Sequence, residues 1–297
     1  MEKLYRDLAE RLSAGVRLLP DKPEETLDST LRALWHAATG RSVSARIAGG
    51  MALPSLSSAE AERLRSLIVE RIAGTPLAYL TGCQHFMGLD LLAGSEALIP
   101  RMETELLGWA ALEWLQRLGA ASTRAGLVVD VCTGSGNLAL ALAFHAPNAR
   151  VYGADLSEQA VALARRNALH LRLQDRVEFR VGDLLTPFEE PEFLGGIDLL
   201  VCNPPYVSSG KVDTMPHEIV GYEPRLAFDG GALGIQIIER LMREAPRFLR
   251  SGGCLAFEVG LGQGSAVLKR ISADGRYSRL RPIRDSAGAV RAIAAEV

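Results

Sequence analysis

The sequence predicts an α/β fold, in which the strands of a parallel sheet alternate with helices and follow an entirely helical segment. After Gly126, an apolar run, a short loop and a helical pattern recur in that order, as expected when parallel strands are joined by helical crossovers. The runs 127–131 and 198–201 lack polar alternation, which is typical of strands covered by helices on both faces. Residues 1–75, in contrast, contain no convincing strand pattern.

Changes in composition divide the chain into three parts. Residues 1–75 predict a small helical domain. Residues 76–102 are interrupted by Gly or Pro about every six residues, which indicates a hairpin-like connector. Residues 103–297 predict the α/β domain, in which the segments 278–284 and 289–294 are expected to add a strand hairpin to the sheet.

Two capping boxes predict helix starts within the first part. Ser57, followed three residues later by Glu60, begins a helix whose apolar residues lie on one face. Asp21 and Glu24 have the same spacing and are expected to begin another helix, which continues to Thr39. These helices must bury their apolar faces against one another, but no residue in them carries chemistry by itself.

Composition and charge exclude several classes of function. The chain of 297 residues has 33 Lys and Arg against 35 Asp and Glu, so it lacks the basic surplus of a protein that binds nucleic acid by bulk electrostatics. Its apolar runs are far shorter than the ~20 residues of a membrane span, and its charged start is unlike a secretory signal. Four dispersed cysteines predict free thiols in a reducing compartment, the cytoplasm, and no metal site.

A glycine-rich loop follows the first strand of the predicted sheet, where open α/β sheets bind ligands. Gly134 and Gly136 let a ligand approach the backbone, and Asp155, at the end of the next strand, is placed to bind a ribose diol. This spacing alone also fits a dinucleotide. Asp130 favours another ligand, because a carboxylate repels a pyrophosphate but attracts an ammonium group. The loop therefore predicts S-adenosylmethionine, with Asp183 after the third strand as a weaker candidate for the adenine amine.

The fourth strand ends in the tetrapeptide Asn203-Pro204-Pro205-Tyr206. Two prolines fix the backbone and remove two N–H donors, so the segment presents mainly acceptors, the Asn203 side-chain oxygen and the Pro204 carbonyl. A rigid pair of acceptors beside a methyl donor suits a planar NH2 group, whose two hydrogens it can hold. Tyr206 is expected to wall in or stack on that group. The tetrapeptide predicts N-methyl transfer, with Asn203, Pro204 and Tyr206 as catalytic residues.

Together these motifs resemble the amino-methyltransferases, which include DNA adenine and some ribosomal RNA enzymes. Further segments narrow the resemblance to the HemK/PrmC family of protein-glutamine N-methyltransferases; they are GTPLAY at 74–79, FMGL at 86–89, LIPRMETE at 98–105, EP at 223–224, GG at 230–231, and EVG at 258–260 with Gln263. Those enzymes act on the Gly-Gly-Gln loop of peptide-chain release factors. The resemblance covers nearly the whole chain. It implies a class I S-adenosylmethionine-dependent methyltransferase fold, with a Rossmann-like seven-stranded sheet and an N-terminal helical domain that helps to recruit the release factor.

The resemblance also implies roles for single residues. It places S-adenosylmethionine, and the product S-adenosylhomocysteine, against Cys132, Thr133, Gly134, Ser135, Gly136, Asp155 and Leu184, in addition to Asp130, Asp183 and Asn203. It places Asn203, Pro204, Pro205 and Tyr206 on the substrate glutamine, and residues 99–105, with Arg101 and Glu103, along the rim of the pocket. Cys132, Met102 and Cys202 stand where the family usually has Gly, Pro and Ser. Cys132 requires a negative φ, or costs about 1 kcal/mol if its φ is positive.

Other functions are compatible with some of these residues. The same chemistry could serve a small-molecule amide or guanidine, or a nucleobase amine, although the target-recognition module and basic groove of DNA adenine enzymes are not evident. A non-catalytic regulator that binds S-adenosylmethionine is disfavoured, because a sensor has no need of the acceptor pair. We expect a cytoplasmic monomer whose partner is a release factor, with no direct contact to nucleic acid or membrane.

Overall fold

The fold is that of a computed structural model, which describes residues 1–121 and 125–297. Its main sheet has seven strands in the order β5-β4-β3-β6-β7-β9-β8, and β3 to β7 pair in parallel while β9 is antiparallel to both neighbours. The predicted α/β class with a seven-stranded sheet is confirmed, including the strand hairpin near the end. The seven strands are β3 Leu127–Val131, β4 Arg150–Asp155, β5 Val177–Val181, β6 Ile197–Cys202, β7 Leu249–Glu258, β8 Arg279–Arg284 and β9 Val290–Glu296.

Helices cover both faces of this sheet. Neighbouring residues of one strand point to opposite faces, so Val128 and Leu199 belong to one apolar cluster and Val129 and Leu200 to the other. This explains why the strands are apolar throughout. The helices after the first part of the chain are α6 Thr104–Ala121, α7 Asn137–His145, α8 Glu158–His170, α9 Ser209–Val212, α10 His217–Val220, α11 Gln236–Glu244 and α12 Gly264–Asp274.

The first 81 residues form helices around a core of their own. Leu31, Trp35, Leu64 and Ile68 are buried together in that core. A two-stranded antiparallel hairpin, β1 Cys83–Phe86 and β2 Leu89–Leu92, follows these helices. The helices are α1 Glu2–Gly15, α2 Leu27–Ala38, α3 Ala45–Ala48, α4 Ser58–Ile72 and α5 Leu77–Thr81. Within the described ranges, no helix is long and apolar enough to cross a membrane.

One of the two predicted helix starts is confirmed and the other is wrong. Ser57 and Glu60 cap each other at the start of α4, as the capping box predicts. The start of α2 lies six residues beyond Asp21, because Thr26 accepts a hydrogen bond from the backbone N–H of Ser29 and forms the N-cap. The residues before Thr26 form turns and direct their charged side chains to distant parts of the chain.

Those charged side chains join the N-terminal helices to the segment that follows β6. The Lys22 ammonium lies 2.7 Å from Glu218 Oε1, and the Arg71 guanidinium lies 2.8 Å from Glu218 Oε2 and 2.9 Å from Glu25 Oε2. All four side chains are at most 7% exposed. Burial raises the pKa of Glu25, and the two cations oppose that effect. We call Lys22, Glu25, Arg71 and Glu218 the junction cluster; it fixes α10 against the N-terminal helices.

Candidate active site

A cleft of about 1030 Å³, which includes its open mouth, lies beyond the carboxyl ends of four neighbouring strands. Open α/β sheets bind ligands in this position, because the loops that follow the strands diverge there. We call it the larger cavity. Its lining includes residues at or just beyond the strand ends, namely Cys132, Thr133, Gly134 and Ser135 after β3, Asp155 at the end of β4 with Leu156 and Ser157 after it, Gly182, Asp183 and Leu184 after β5, and Asn203 and Pro205 after β6.

A second cavity, of about 600 Å³, lies beside the first. We call it the smaller cavity. Asn203 lines both cavities and therefore stands where they meet. The smaller cavity combines apolar walls with several polar side chains, and its lining includes Asp21, Arg101, Glu103, Pro204, Tyr206, Met215, Ile219, Phe228 and Glu258.

The glycine loop is held in a conformation that requires its glycines. The backbone φ is +55° at Gly134 and +82° at Gly136, and a Cβ at Gly136 would lie 2.9 Å from Phe179 Cζ. Asp155 fixes the loop to β4, because its Oδ2 accepts from Gly134 N at 2.9 Å and its Oδ1 from Ser157 N at 2.9 Å. Burial raises the pKa of Asp155, and these N–H groups oppose that effect.

Asp130 lies behind the loop rather than in the lining of the larger cavity. Its side chain is buried, and Oδ2 accepts from Thr133 Oγ1 at 2.5 Å and from Ala139 N at 3.2 Å. Oδ1 is buried without a hydrogen-bond partner in the described part of the chain. Burial raises the pKa of this carboxyl to about 7. Gly136 is also outside the lining, so cofactor contacts of Asp130 and Gly136 remain predictions.

Cys132 adopts the left-handed backbone conformation, with a φ of +58°. The sequence allows either a negative φ at this position or a strained positive one, and the structure has the strained, positive φ. Cys132 lines the larger cavity and packs against the apolar cluster that contains Cys202, which is fully buried at the end of β6. We expect the strain to cost about 1 kcal/mol, since a Cβ in this region meets the following carbonyl oxygen.

Cys132→Gly is therefore expected to raise the free energy of unfolding by about 1 kcal/mol. Urea denaturation measures this effect. Cys132→Ala is the matched control, because alanine removes the thiol but keeps the Cβ and its strain, and it should not stabilise the protein. A stabilised alanine variant, or an unchanged glycine variant, would contradict the argument from backbone conformation.

The Asn-Pro-Pro-Tyr loop is anchored at both ends. Asn203 Nδ2 donates to Thr104 Oγ1 at 3.1 Å, which leaves Oδ1 for a donor from outside. The Tyr206 hydroxyl donates to Glu258 Oε1 at 2.8 Å, and Gln263 Nε2 donates to the Tyr206 carbonyl at 2.9 Å. Sequence analysis placed Thr104 only within the rim segment 99–105 and assigned no role to Glu258. Both lie inside quoted family segments, but only the fold shows that they contact the tetrapeptide.

The charged residues assigned to the rim are engaged within the protein. Arg101 is buried, and its guanidinium pairs with Glu223 at 2.6 Å and Asp21 at 3.1 Å while Nη1 donates to the Ile99 carbonyl at 2.7 Å. Glu103 pairs with Arg291. Arg101 and Glu103 line the smaller cavity, so their contact with substrate remains a prediction, although all three guanidinium nitrogens of Arg101 already donate within the protein.

The adenine-end candidates both line the larger cavity. Asp183 pairs with Arg240 on α11 at 2.7 Å, so one of its oxygens is already engaged. Leu184 is buried and has a φ of +49°. The contacts of Asp183 and Leu184 with adenine remain predictions.

Comparison with known proteins identifies the family. A family model described as Methyltransferase small domain matches residues 110–235. A release factor glutamine methyltransferase of Moorella thermoacetica is 40% identical over 233 residues, which are 78% of this chain and 79% of that protein. This chain belongs to the release factor glutamine methyltransferase family. A release factor glutamine methyltransferase of Bradyrhizobium diazoefficiens is 35% identical and aligns over 99% of this chain and 94% of its own, so the likeness includes the N-terminal helices.

Solved structures support the same fold. The N-terminal domain of human METTL16, in a complex with S-adenosylhomocysteine, has a TM-score of 0.52 and 16% identity over 95% of this chain and 98% of that chain. At this identity the likeness concerns the fold alone. The predicted family, the class I methyltransferase fold and the classification of the chain as a methyltransferase are confirmed.

Proposed function

We propose that this chain transfers a methyl group from S-adenosylmethionine to the side-chain amide nitrogen of the glutamine in the Gly-Gly-Gln loop of a release factor. The donor binds in the larger cavity and the glutamine side chain enters the smaller one. One observation carries this proposal: Asn203, with its amide oriented by Thr104, lines both cavities at their junction. An acceptor at that point can hold a substrate nitrogen against the methyl donor.

The larger cavity suits this donor chemically. Ser135 lines this cavity, and its buried Oγ has no hydrogen-bond partner among the described residues, so it can donate to or accept from a bound polar ligand. Asp155 retains capacity to accept from a ribose hydroxyl, since a carboxylate offers about four lone-pair sites. S-adenosylmethionine supplies a methyl group on a positively charged sulfur, which needs no metal or covalent enzyme intermediate for its transfer.

Asn203 and Pro204 position the amide. The Asn203 side-chain oxygen and the Pro204 carbonyl each accept one N–H of the glutamine, which turns a face of the nitrogen toward the methyl group. Tyr206 walls the amide in, and its hydroxyl is fixed by Glu258. Positioning and fixed dipoles of this kind supply most of the catalysis in a reaction that needs no covalent help from the protein.

The proposal also covers the roles of the three parts of the chain, the oligomeric state and the location of the enzyme. Residues 1–75 recruit the release factor, residues 76–102 connect the domains and residues 103–297 carry the reaction. The enzyme acts as a cytoplasmic monomer and contacts neither nucleic acid nor membrane directly. The formal charge of −2 supports the absence of direct contact with nucleic acid, and the ion pairs between the N-terminal helices and α10 support the role of residues 1–75.

The experiment that tests the function compares four acceptors. The protein is incubated with methyl-labelled S-adenosylmethionine and, separately, with a release factor, the same factor with its loop glutamine changed to alanine, duplex DNA, and a metabolite extract. We expect label in the intact release factor alone. Label that persists after the change to alanine would refute the glutamine assignment, and labelled DNA or metabolites would favour the corresponding alternative substrate.

A further inference from the structure

Three carboxylates line the smaller cavity, and one of them differs from the others. Asp21 pairs with Arg101, and Glu103 pairs with Arg291. Glu258 is 2% exposed and forms no ion pair in the described ranges of the chain. A buried carboxylate without a direct ion pair is expensive to retain, so its presence in the substrate cavity calls for an explanation.

One oxygen of Glu258 accepts the hydrogen bond from Tyr206, and the Thr104 hydroxyl lies close enough to influence the carboxyl as well. Oε1 accepts from the Tyr206 hydroxyl at 2.8 Å, whereas Oε2 is buried with no hydrogen-bond partner among the described residues. An orphaned buried acceptor is destabilising, so one in a substrate cavity needs a reason. The carboxylate therefore lies at the substrate cavity with one oxygen available.

We propose that Glu258 accepts the proton that leaves the substrate nitrogen during methylation. The inference rests on the proposed function. The nitrogen lone pair forms the N–CH3 bond, and the pair of the broken S–CH3 bond returns to sulfur. As the nitrogen becomes tetrahedral, one N–H turns from its neutral acceptor to Glu258 Oε2, which takes the proton. The products are the N-methyl amide, the neutral thioether and a protonated Glu258, which later releases its proton to water.

The neighbouring groups are poorer acceptors. The Asn203 and Pro204 oxygens belong to neutral amides and cannot keep a proton. The Tyr206 phenol is already a donor to Glu258, and burial and the nearby carboxylate raise its pKa well above the ordinary value. The negative charge on Glu258 also stabilises the positive charge that develops on the attacking nitrogen, since interactions in a dry site are strong.

The same assignment sets the direction of the pH dependence. Burial raises the pKa of Glu258 above its ordinary value, and the nearby charge of Glu103 raises that pKa further. The hydroxyls of Thr104 and Tyr206 and the charge of Arg291 act in the opposite direction but do not cancel the effect of burial. The acceptor must be ionised to act. Turnover is therefore lost as the pH falls through this raised pKa, and the profile has an acid limb at a higher pH than an exposed glutamate would give.

Glu258→Gln tests the proposal, because glutamine still accepts from Tyr206 but cannot take a proton. We expect kcat to fall by about 10²-fold or more, the KM for the release factor and the Kd for S-adenosylmethionine to stay within about threefold, and the acid limb to disappear. Glu239→Gln, on the exposed side of α11, is the matched control and should leave kcat, KM, Kd and the acid limb as they are in the wild-type protein.

The outcomes separate this inference from the proposed function. If the wild-type protein does not methylate the loop glutamine, the proposed function fails. If it does, and Glu258→Gln keeps kcat within about threefold or keeps the acid limb, Glu258 acts only by positioning Tyr206 and the inference is overturned. Should the glutamine variant not fold, Glu258→Asp retains a carboxylate; loss of its acid limb would also overturn the inference.

Discussion

Asn203→Ala is expected to lower kcat by about 10²- to 10³-fold, or about 3–4 kcal/mol of transition-state stabilisation. The change removes the acceptor that holds the substrate nitrogen at the junction of the two cavities, whereas most of the cofactor lining is untouched. The Kd for S-adenosylmethionine should therefore stay within about tenfold. Single-turnover methylation of the release factor and titration with the cofactor measure the two quantities separately.

Two further variants make this experiment specific. Asn203→Asp keeps a side-chain oxygen but loses the donor to Thr104, so we expect it to retain more activity than alanine. Asn148→Ala, at an exposed loop position, should have no effect on either quantity. Equal losses of turnover and cofactor affinity in Asn203→Ala would mean that Asn203 serves the cofactor rather than the substrate amide.

The parts of the site that sequence analysis predicted are those encoded by adjacent residues. Gly134 and Gly136 mark a turn that only a small set of backbone conformations can form, and the two prolines after Asn203 restrict their own backbone. Such signals do not depend on the rest of the chain. The alternation of strands and helices is also local, which explains why the order and class of the main elements could be predicted.

The remaining features depend on contacts between residues far apart in the chain. Glu258 differs from Asp21 and Glu103 because each of those carboxylates forms an ion pair with an arginine and Glu258 does not. The spacing of residues along the sequence cannot reveal this difference. Arg101 lies in a rim segment by sequence, but its partners lie 80 and 122 residues away, at Asp21 and Glu223. The false helix start at Asp21 has the same origin, since the turn before Thr26 serves long-range ion pairs that compete with helix formation.

The junction cluster supplies the prediction with the largest effect on stability. Arg71→Met is expected to lower the free energy of unfolding by about 3–5 kcal/mol. The change removes one of the two cations of the junction cluster, so Glu25 and Glu218 stay buried with only Lys22 to balance their charges. Methionine retains most of the apolar volume, so lost packing contributes little. Urea denaturation followed by circular dichroism measures the change.

The same helix provides the control for this prediction. Arg65 on α4 pairs with Glu62 at 2.5 Å, but the two side chains are 41% and 74% exposed, so Arg65→Met should cost less than about 1 kcal/mol. Glu218 is adjacent to Ile219, which lines the smaller cavity, so at a temperature where Arg71→Met is folded its KM for the release factor should rise more than its Kd for the cofactor. If the Arg71 and Arg65 variants are equally stable and the two constants change together, the ion pairs hold neither the N-terminal helices nor the cavity wall in place.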